Sequence, residues 1–415
     1  LPASVFSVIN VLLFSMTGML PAEVMLMREL KTFQVKTKIL FGRGGISSLG
    51  SLAREMGTSR YLLVADPSLE KQGIVEAARA SLSGEGLQGT TFLGVEPEPY
   101  LDGADEAART GREMGADLVI GLGGGSTMDT AKAAAILLTN EGSAQDYIGL
   151  NKVQLPGKPT IMAPTTAGTG AEVTFTAVLT NRETKVKGGI NSPFLFPDFA
   201  VLDPEMTLSV PPDVTAATGM DALTHAIESV TSRSATVFTE AMAFRAIGLI
   251  SENLRRAVFH GQHIDARENM LLGSLLGGMA LADAGVGAAH ALAYPLGGNY
   301  RIPHGLANAV MIPHVMEFNL PAAERPLAMI AGCMGESVEG LSQRAAAAVA
   351  VDAVRTLCQD IGIPRTLTEM GIPRADIPML VEGALKVTRP VENNPRVLGE
   401  GEAHWIYEQA FGRRQ

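Results

Sequence analysis

At 415 residues the chain exceeds the length at which one hydrophobic core usually keeps growing, so two domains are expected. Its 33 basic and 43 acidic residues give a formal charge of −10, and no basic run is long enough to track a phosphate backbone, which argues against nucleic acid as a partner. Two cysteines, Cys333 and Cys358, are too few for a disulfide framework or a cysteine-built zinc site, and they fit a reducing cytoplasm.

The first 22 residues, LPASVFSVINVLLFSMTGMLPA, carry no charge and are long enough to cross a bilayer. No basic residues precede the apolar run as in a signal peptide, and Met27 stands as a plausible initiator before Arg28 and Glu29. Residues 1–27 are therefore read as an apolar extension foreign to the core fold, with a membrane anchor as the alternative. Nothing after Met27 has an apolar run of transmembrane length, so the body is expected to be soluble and cytoplasmic, without a membrane partner.

From about Lys31 to Pro204, short β-branched runs alternate with longer helical stretches, the pattern of βαβ units around a mostly parallel sheet. Residues 61–66 read as a strand and 67–82 as the helix that follows. Residues 90–95 read as the next strand, and Pro97 and Pro99 force a loop after it. Residues 102–115 are expected to be helical, 116–122 a strand, and 126–138 a helix opening directly after three glycines. A strand at 159–164 runs into the polar stretch TTAGTGAE, then 173–180 and 185–189 form a β-hairpin around NRET, and 199–203 closes the half. Beyond Pro211 and Pro212 alanine, leucine, methionine and histidine recur with helical spacing. The organisation expected is an α/β dinucleotide-binding domain over residues 28–208 and an all-α metal-binding and substrate domain over 209–415.

Three segments carry chemistry. In GLGGGSTMDTAK, residues 121–132, glycines 123 to 125 lack a Cβ, so backbone amides can approach a pyrophosphate at the start of a helix. Ser126 can cap that helix or donate to a phosphate oxygen. The stretch is neither a Walker A loop nor a G-x-G-x-x-G turn, and a plain strand-to-helix turn is the bland alternative. Asp66, ending a strand, can bind ribose hydroxyls and repel a 2′-phosphate, favouring NAD over NADP, or can simply cap the helix at Pro67. Thr165, Thr166 and Thr169 offer hydroxyls beside two glycines.

In GMDALTHAIES, Asp221 and His225 are four residues apart with helical periodicity, so both share one helix face and can reach one ion. His290 and His304 follow, separated by a glycine-containing loop that would let both point back. Three imidazoles and a carboxylate suit Fe(II) or Zn(II), whereas magnesium and calcium prefer oxygen shells. His314 reads as structural, and His260, His263 and His404 as solvent-exposed.

These segments resemble the iron-containing (group III) alcohol dehydrogenases from about Phe33 to Phe411. GGGSTMDTAK is similar to that family's nucleotide loop, PTTAGTGAEVT to its second cofactor loop, and GMDALTHAIES with GAAHALAYPLGGNYRIPHG to its metal signatures. The resemblance implies a dinucleotide-binding α/β domain followed by a helical domain, as in dehydroquinate synthase-like folds. It also implies a divalent metal on Asp221, His225, His290 and His304, and an NAD site lined by Asp66, Gly124, Gly125, Ser126, Asp129, Thr165, Thr166, Thr169 and Lys187. Two positions depart from the family pattern. Tyr294 stands where many members place a histidine that relays the alcohol proton, making Tyr294 the catalytic candidate, and Glu98 stands where many carry asparagine.

The function expected is hydride transfer between NAD(H) and a small alcohol or its aldehyde or ketone, with Fe(II), favoured over Zn(II), acting as Lewis acid on the substrate oxygen. A homo-oligomer is expected. The alternatives are a zinc-dependent glycerol or polyol dehydrogenase, a dehydroquinate synthase-like lyase that uses NAD transiently, and a binding protein without turnover. The lyase would need a basic pocket for a polyanionic substrate, which the Ala- and Leu-rich ligand segments do not offer.

Overall fold

The computed structural model describes residues 32–412, so the expectation for residues 1–27 lies outside the described residues. From Gln34 onward the chain makes one compact unit. Its first half is built on strands β1 (Lys38–Phe41), β2 (Arg60–Ala65), β3 (Gln88–Phe92), β4 (Leu118–Gly123), β5 (Gly149–Leu150), β6 (Thr160–Pro164), β7 (Thr176–Thr180), β8 (Lys187–Asn191) and β9 (Phe199–Leu202). Six of them form a parallel sheet in the order β1-β9-β6-β4-β2-β3. The other three make a small sheet, β5-β8-β7, in which β7 and β8 are the antiparallel hairpin expected around NRET.

Helices α1 (Leu49–Glu55), α2 (Pro67–Lys71), α3 (Ile74–Gly84), α4 (Leu101–Met114) and α5 (Gly125–Leu137) alternate with these strands. The two-residue period of a strand decides which helices cover which face. Leu62 and Val64 pack with Ala104 and Ala108 of α4 and Met128 and Ala131 of α5, while Leu63 and Ala65 pack with Leu49 and Leu52 of α1 and Ile74 and Ala78 of α3. With both faces covered, β2 and β4 are apolar almost throughout, which is why they read clearly in the sequence.

Two elements differ from expectation. The helix predicted over residues 67–82 is broken at Gly73, whose φ of 77° lies in the left-handed region and ends α2 before α3 begins. Strand β3 lies toward the N-terminal side of the predicted 90–95, because it takes its register from Arg60 and Tyr61 of β2, opposite Gln88 and Gly89.

The second half is helical, with α6 (Pro212–Thr231), α7 (Val237–Phe259), α8 (Ile264–Ala284), α9 (Ala288–Tyr300), α10 (His304–Asn319), α11 (Glu324–Cys333), α12 (Gln343–Asp360), α13 (Ile377–Leu385), α14 (Thr388–Asn393) and α15 (Glu400–Ala410). One apolar cluster runs through it, joining Met220 and Leu223 of α6 to Ile250 of α7, Leu292 of α9, Met311 of α10 and Tyr407 of α15. Among the described residues no single helix is long and apolar enough to cross a membrane; α8 and α9 meet the test only together, bent by 104°. Gly170 lets the halves meet closely. Its backbone, at φ 62°, packs so tightly on α8 that an added Cβ would lie 2.4 Å from the Gly278 Cα.

Candidate active site

A cavity of about 1550 Å³ opens between the carboxyl ends of the parallel strands and the helical half. Strand β3 lies outward of β2 and β4 lies on its other side, so the cavity meets the sheet where the chain changes direction, a usual place for ligands in such sheets. Gly123 and Pro164 are paired at the ends of β4 and β6, which brings the two loops that follow side by side.

The first of these loops is the glycine turn into α5. Gly124 is the N-cap, and no side chain caps the helix, so its first N–H groups are left to the cavity. Ser126 does not cap the helix; its Oγ donates to the Pro97 carbonyl at 2.6 Å, fixing the 97–99 loop beside the turn. Gly125 touches the second loop, since a Cβ there would stand 2.5 Å from Thr169 Cγ2. Behind both loops Lys132, fully buried, donates to the carbonyl of Ala171 at 3.0 Å and to Thr174 Oγ1 at 3.3 Å, and pairs with Asp129 at 3.2 Å. Asp129 in turn accepts from the Val178 N–H at 2.9 Å. Burial pushes the Asp129 carboxyl up and the Lys132 amine down, and their mutual attraction opposes both shifts.

Of the nine cofactor candidates, Gly124, Gly125, Ser126, Asp129, Thr166, Thr169 and Lys187 line the cavity. Two do not. Asp66 caps α2, accepting from the Ser68 N–H at 2.8 Å. Thr165 is buried behind the wall, its N–H donating to the Gly123 carbonyl at 3.0 Å.

Across the cavity, Asp221, His290 and His304 bring ligand atoms within 4.8 Å of one another. Asp221 Oδ1 lies 3.9 Å from Nε2 of both histidines. Donors each about 2.0–2.2 Å from one ion can be no more than about 4.4 Å apart, so these two separations fit a shared ion. His225 lines the same cavity but stands outside that close set, stacked on His290 with ring centroids 4.7 Å apart. Helix α9 runs on through Gly297 and Gly298 to Tyr300, so the predicted glycine loop between His290 and His304 is reduced to residues 301–303. His304 is then the first residue of α10, and Gly305 lets that helix start against α6: an added Cβ would lie 2.3 Å from the Ala217 carbonyl oxygen.

Glu228, which sequence reasoning passed over, organises the cluster. Its carboxylate accepts from the N–H groups of Gly287 at 2.8 Å and Ala289 at 2.7 Å, and lies 2.5 Å from His290 Nδ1. With Nδ1 donating to Glu228, the His290 Nε2 presents a lone pair, and that atom is buried with no hydrogen-bond partner. Burial works against a charge on His290, but Glu228 outweighs it and raises the pKa. His225 Nδ1 lies 3.3 Å from the Gly168 carbonyl, and burial lowers its pKa. Burial also takes His304 down to about 3, with His290 and Lys187 adding to the effect against Asp221. Asn308, also passed over, donates to Asp221 Oδ1 at 2.7 Å. The burial cost of charge on Asp221 is exceeded by the facing imidazoles and Asn308, and its carboxyl is held below the usual range.

Both missed residues had a signal in the helical spacing. Glu228 is seven residues after Asp221 on one helix, and Asn308 is four after His304 on another, each on the face of the candidate ligand it follows. The orphaned Nε2 of His290, the imidazoles of His225 and His304 that burial keeps neutral, and the backing carboxylate are what a divalent-ion site requires.

Tyr294 stacks beside His304 with ring centroids 5.7 Å apart and lines the cavity. Burial, then the carboxylates of Glu228, Asp221 and Asp129, raise its pKa to about 12, so the phenol keeps its proton at neutral pH. His314 lies outside the cluster, and burial lowers its pKa to about 4; His263 caps α8 by accepting from the Ala266 N–H at 3.2 Å. The segments that carry the candidate ligands are largely apolar as expected, yet the wall takes basic side chains, Arg301 from the second segment itself and Lys187 and Arg389 from elsewhere.

A glycine turn at the ends of parallel strands faces a carboxylate and imidazole cluster across one cavity, the arrangement of a dinucleotide-binding α/β half set against a candidate metal site. Residues 36–204 match the iron-containing alcohol dehydrogenase family model and residues 215–411 match the C-terminal model of the same family. The chain is 43% identical over 373 residues to 1,3-propanediol dehydrogenase of Citrobacter freundii, covering 89% of this chain and 96% of that protein. It is 40% identical over 373 residues to long-chain-alcohol dehydrogenase 1 of Geobacillus thermodenitrificans, covering 89% and 94%. A crystal structure of 1,3-propanediol oxidoreductase superposes with a TM-score of 0.90 at 41% identity, covering 92% of this chain and all (100%) of that one. The chain belongs to the iron-containing alcohol dehydrogenase family. It is an NAD-linked oxidoreductase of alcohols and aldehydes.

Proposed function

We propose that Asp221, His225, His290 and His304 together hold one divalent ion, iron(II) in preference to zinc(II), against the oxygen of a small alcohol or aldehyde. The observation that carries this reading is the buried, partnerless Nε2 of His290, kept as a lone pair by Glu228 on the other ring nitrogen. Supporting His225 as the fourth ligand are its stacking on His290 and its Nδ1 contact with Gly168. Four protein ligands fill a tetrahedral zinc shell, whereas the higher coordination common for iron(II) keeps a place for substrate. When bound, the ion would polarise the substrate oxygen and the nicotinamide would exchange the hydride.

The chain's own part is orientation and proton control. Glu228 and Asn308 fix His290 and Asp221, and the Tyr294 hydroxyl, kept protonated by burial, donates a hydrogen bond toward the substrate oxygen. The turn at Gly124, Gly125 and Ser126 takes the pyrophosphate on the open start of α5, with Asp129, Thr166, Thr169 and Lys187 completing the cofactor wall and Thr165 supporting it from behind. Asp66 uses Oδ1 to cap α2, leaving Oδ2 for the ribose hydroxyls, which favours NAD over NADP. We further place the boundary between the α/β and helical domains at residues 208 and 209, and expect a cytoplasmic homo-oligomer with no membrane partner.

The test is elemental analysis of protein purified without oxygen, paired with reduction of short aldehydes by NADH and NADPH. Stoichiometric iron and faster reduction with NADH are expected. Aldehyde reduction by protein that holds no transition metal would overturn the metal assignment.

A further inference from the structure

Lys187 opens β8 and points its ammonium into the cavity where the two halves meet. It lies against α9, since a Cβ on Gly297 would stand 3.3 Å from Nζ, and Gly297 follows Tyr294 and His290 by one and two helical turns. Its charge reaches the His304 ring. An unpaired cation here would attract any anionic group that enters the cavity beside α9. It is not unpaired: Glu98 Oε2 lies 2.5 Å from Nζ, and both side chains are largely shielded, 12% and 27% exposed. The loop that presents Glu98 is held on both sides, by Ser126 Oγ on the Pro97 carbonyl at 2.6 Å and by the Thr180 N–H on the Pro99 carbonyl at 2.8 Å. The carboxylate therefore stays at its partner.

We propose that Glu98 is a specificity-determining residue: by neutralising Lys187 it makes the pocket accept uncharged aldehydes and alcohols and reject those that carry a carboxylate or sulfonate. This rests on the carbonyl-reducing function assigned above and adds its substrate class. The physical basis is that a second anion near a shielded ion pair meets the fixed carboxylate as a like charge, whereas removing one partner leaves a shielded charge in search of another. Rejection of a wrong substrate by a built-in like charge is a common route to specificity.

Glu98→Gln keeps the shape of the side chain and removes its charge. The experiment measures kcat/KM with NADH for butanal and for 4-oxobutanoate in the unaltered protein, in E98Q, and in E98Q combined with Lys187→Met. The ratio for 4-oxobutanoate over butanal is expected to rise about tenfold in E98Q, through KM, and to fall back in the double variant. A ratio unchanged in E98Q, or raised equally in the double variant, overturns the proposal. NADH affinity of E98Q, followed by fluorescence titration, separates a cofactor effect of Glu98, which would move both substrates together and also overturn it; the double variant, which loses a residue of the cofactor wall, is scored on the substrate ratio alone. Calorimetric titration with butyrate and butyramide gives the same answer without turnover: E98Q gains affinity for butyrate alone. If the unaltered protein reduces no aldehyde, the functional assignment fails, and the butyrate result still decides the role of Glu98.

Discussion

On the helical side of the cavity the chemistry is carried by side chains at fixed helix positions, each with a buried partner, such as His290 on Glu228 and Asp221 on Asn308. On the sheet side it is carried mainly by backbone, and the side chains there hold loops in place: Ser126 braces Pro97, Lys132 ties α5 to Ala171 and Thr174, and Gly125 makes room for Thr169. The first arrangement concentrates function in a few residues whose loss is severe. The second spreads it, so single changes there act by geometry and in smaller steps.

The largest effect is expected at the proposed ligands. Asp221→Ala with His225→Ala should remove the bound metal and lower aldehyde reduction by about a thousandfold or more, because a Lewis acid supplies several kcal/mol at the reacting oxygen. Metal content and kcat/KM are the readouts, and activity that survives the double change would sink the metal mechanism. One step out, Glu228→Gln keeps the size of the side chain but loses the charge that fixes the His290 tautomer. Metal affinity is expected to fall about 10- to 100-fold, as measured by competition with a chelator. Unchanged affinity would reduce Glu228 to a cap for α9.

On the sheet side, Gly125→Ala puts a methyl group 2.5 Å from Thr169 Cγ2. Overpacking of this kind costs about 1–3 kcal/mol, and here the strain falls on the two loops that would hold the dinucleotide. The Kd for NADH is expected to rise about tenfold, with part of the loss recovered when Thr169→Ser removes the opposing methyl. If the second change recovers nothing, the two loops are not in the contact described.

The same contrast explains what the chain discloses before its structure is known. The shared helix of Asp221 and His225 was legible from their spacing alone, and β2 and β4 because a sheet covered on both faces is apolar throughout. The break at Gly73 was not, since a glycine within a helical pattern signals either tolerance or a stop. Thr165 and Thr166 are neighbours of the same chemistry, yet one is buried behind the wall and the other lines it, a distinction set by the β4–β6 register and invisible to composition. The Lys187 to Glu98 pair joins residues far apart in the chain and had no local signal at all.

The smallest effect on turnover is expected at Glu172, in the loop that Lys132 supports, where the readout is stability. It is 1% exposed, its Oε1 has no hydrogen-bond partner, and burial raises its pKa from 4.5 to about 7. A folded-state pKa above the unfolded value means that the native protein binds this proton more tightly. The resulting stabilisation is present below about pH 4.5 and is lost as the pH rises to about 7. The shift corresponds to about 3 kcal/mol at most, opposed by whatever Lys132 returns to the ionised form. Glu172→Gln cannot ionise, so its melting temperature relative to the unaltered protein should climb between pH 5 and pH 8, the range from about the unfolded to just above the folded pKa. A difference that stays flat across that range would mean Glu172 is already charged at pH 5, held so by Lys132, and the sheet side would then carry a buried ion triad instead of a pair beside a neutral acid.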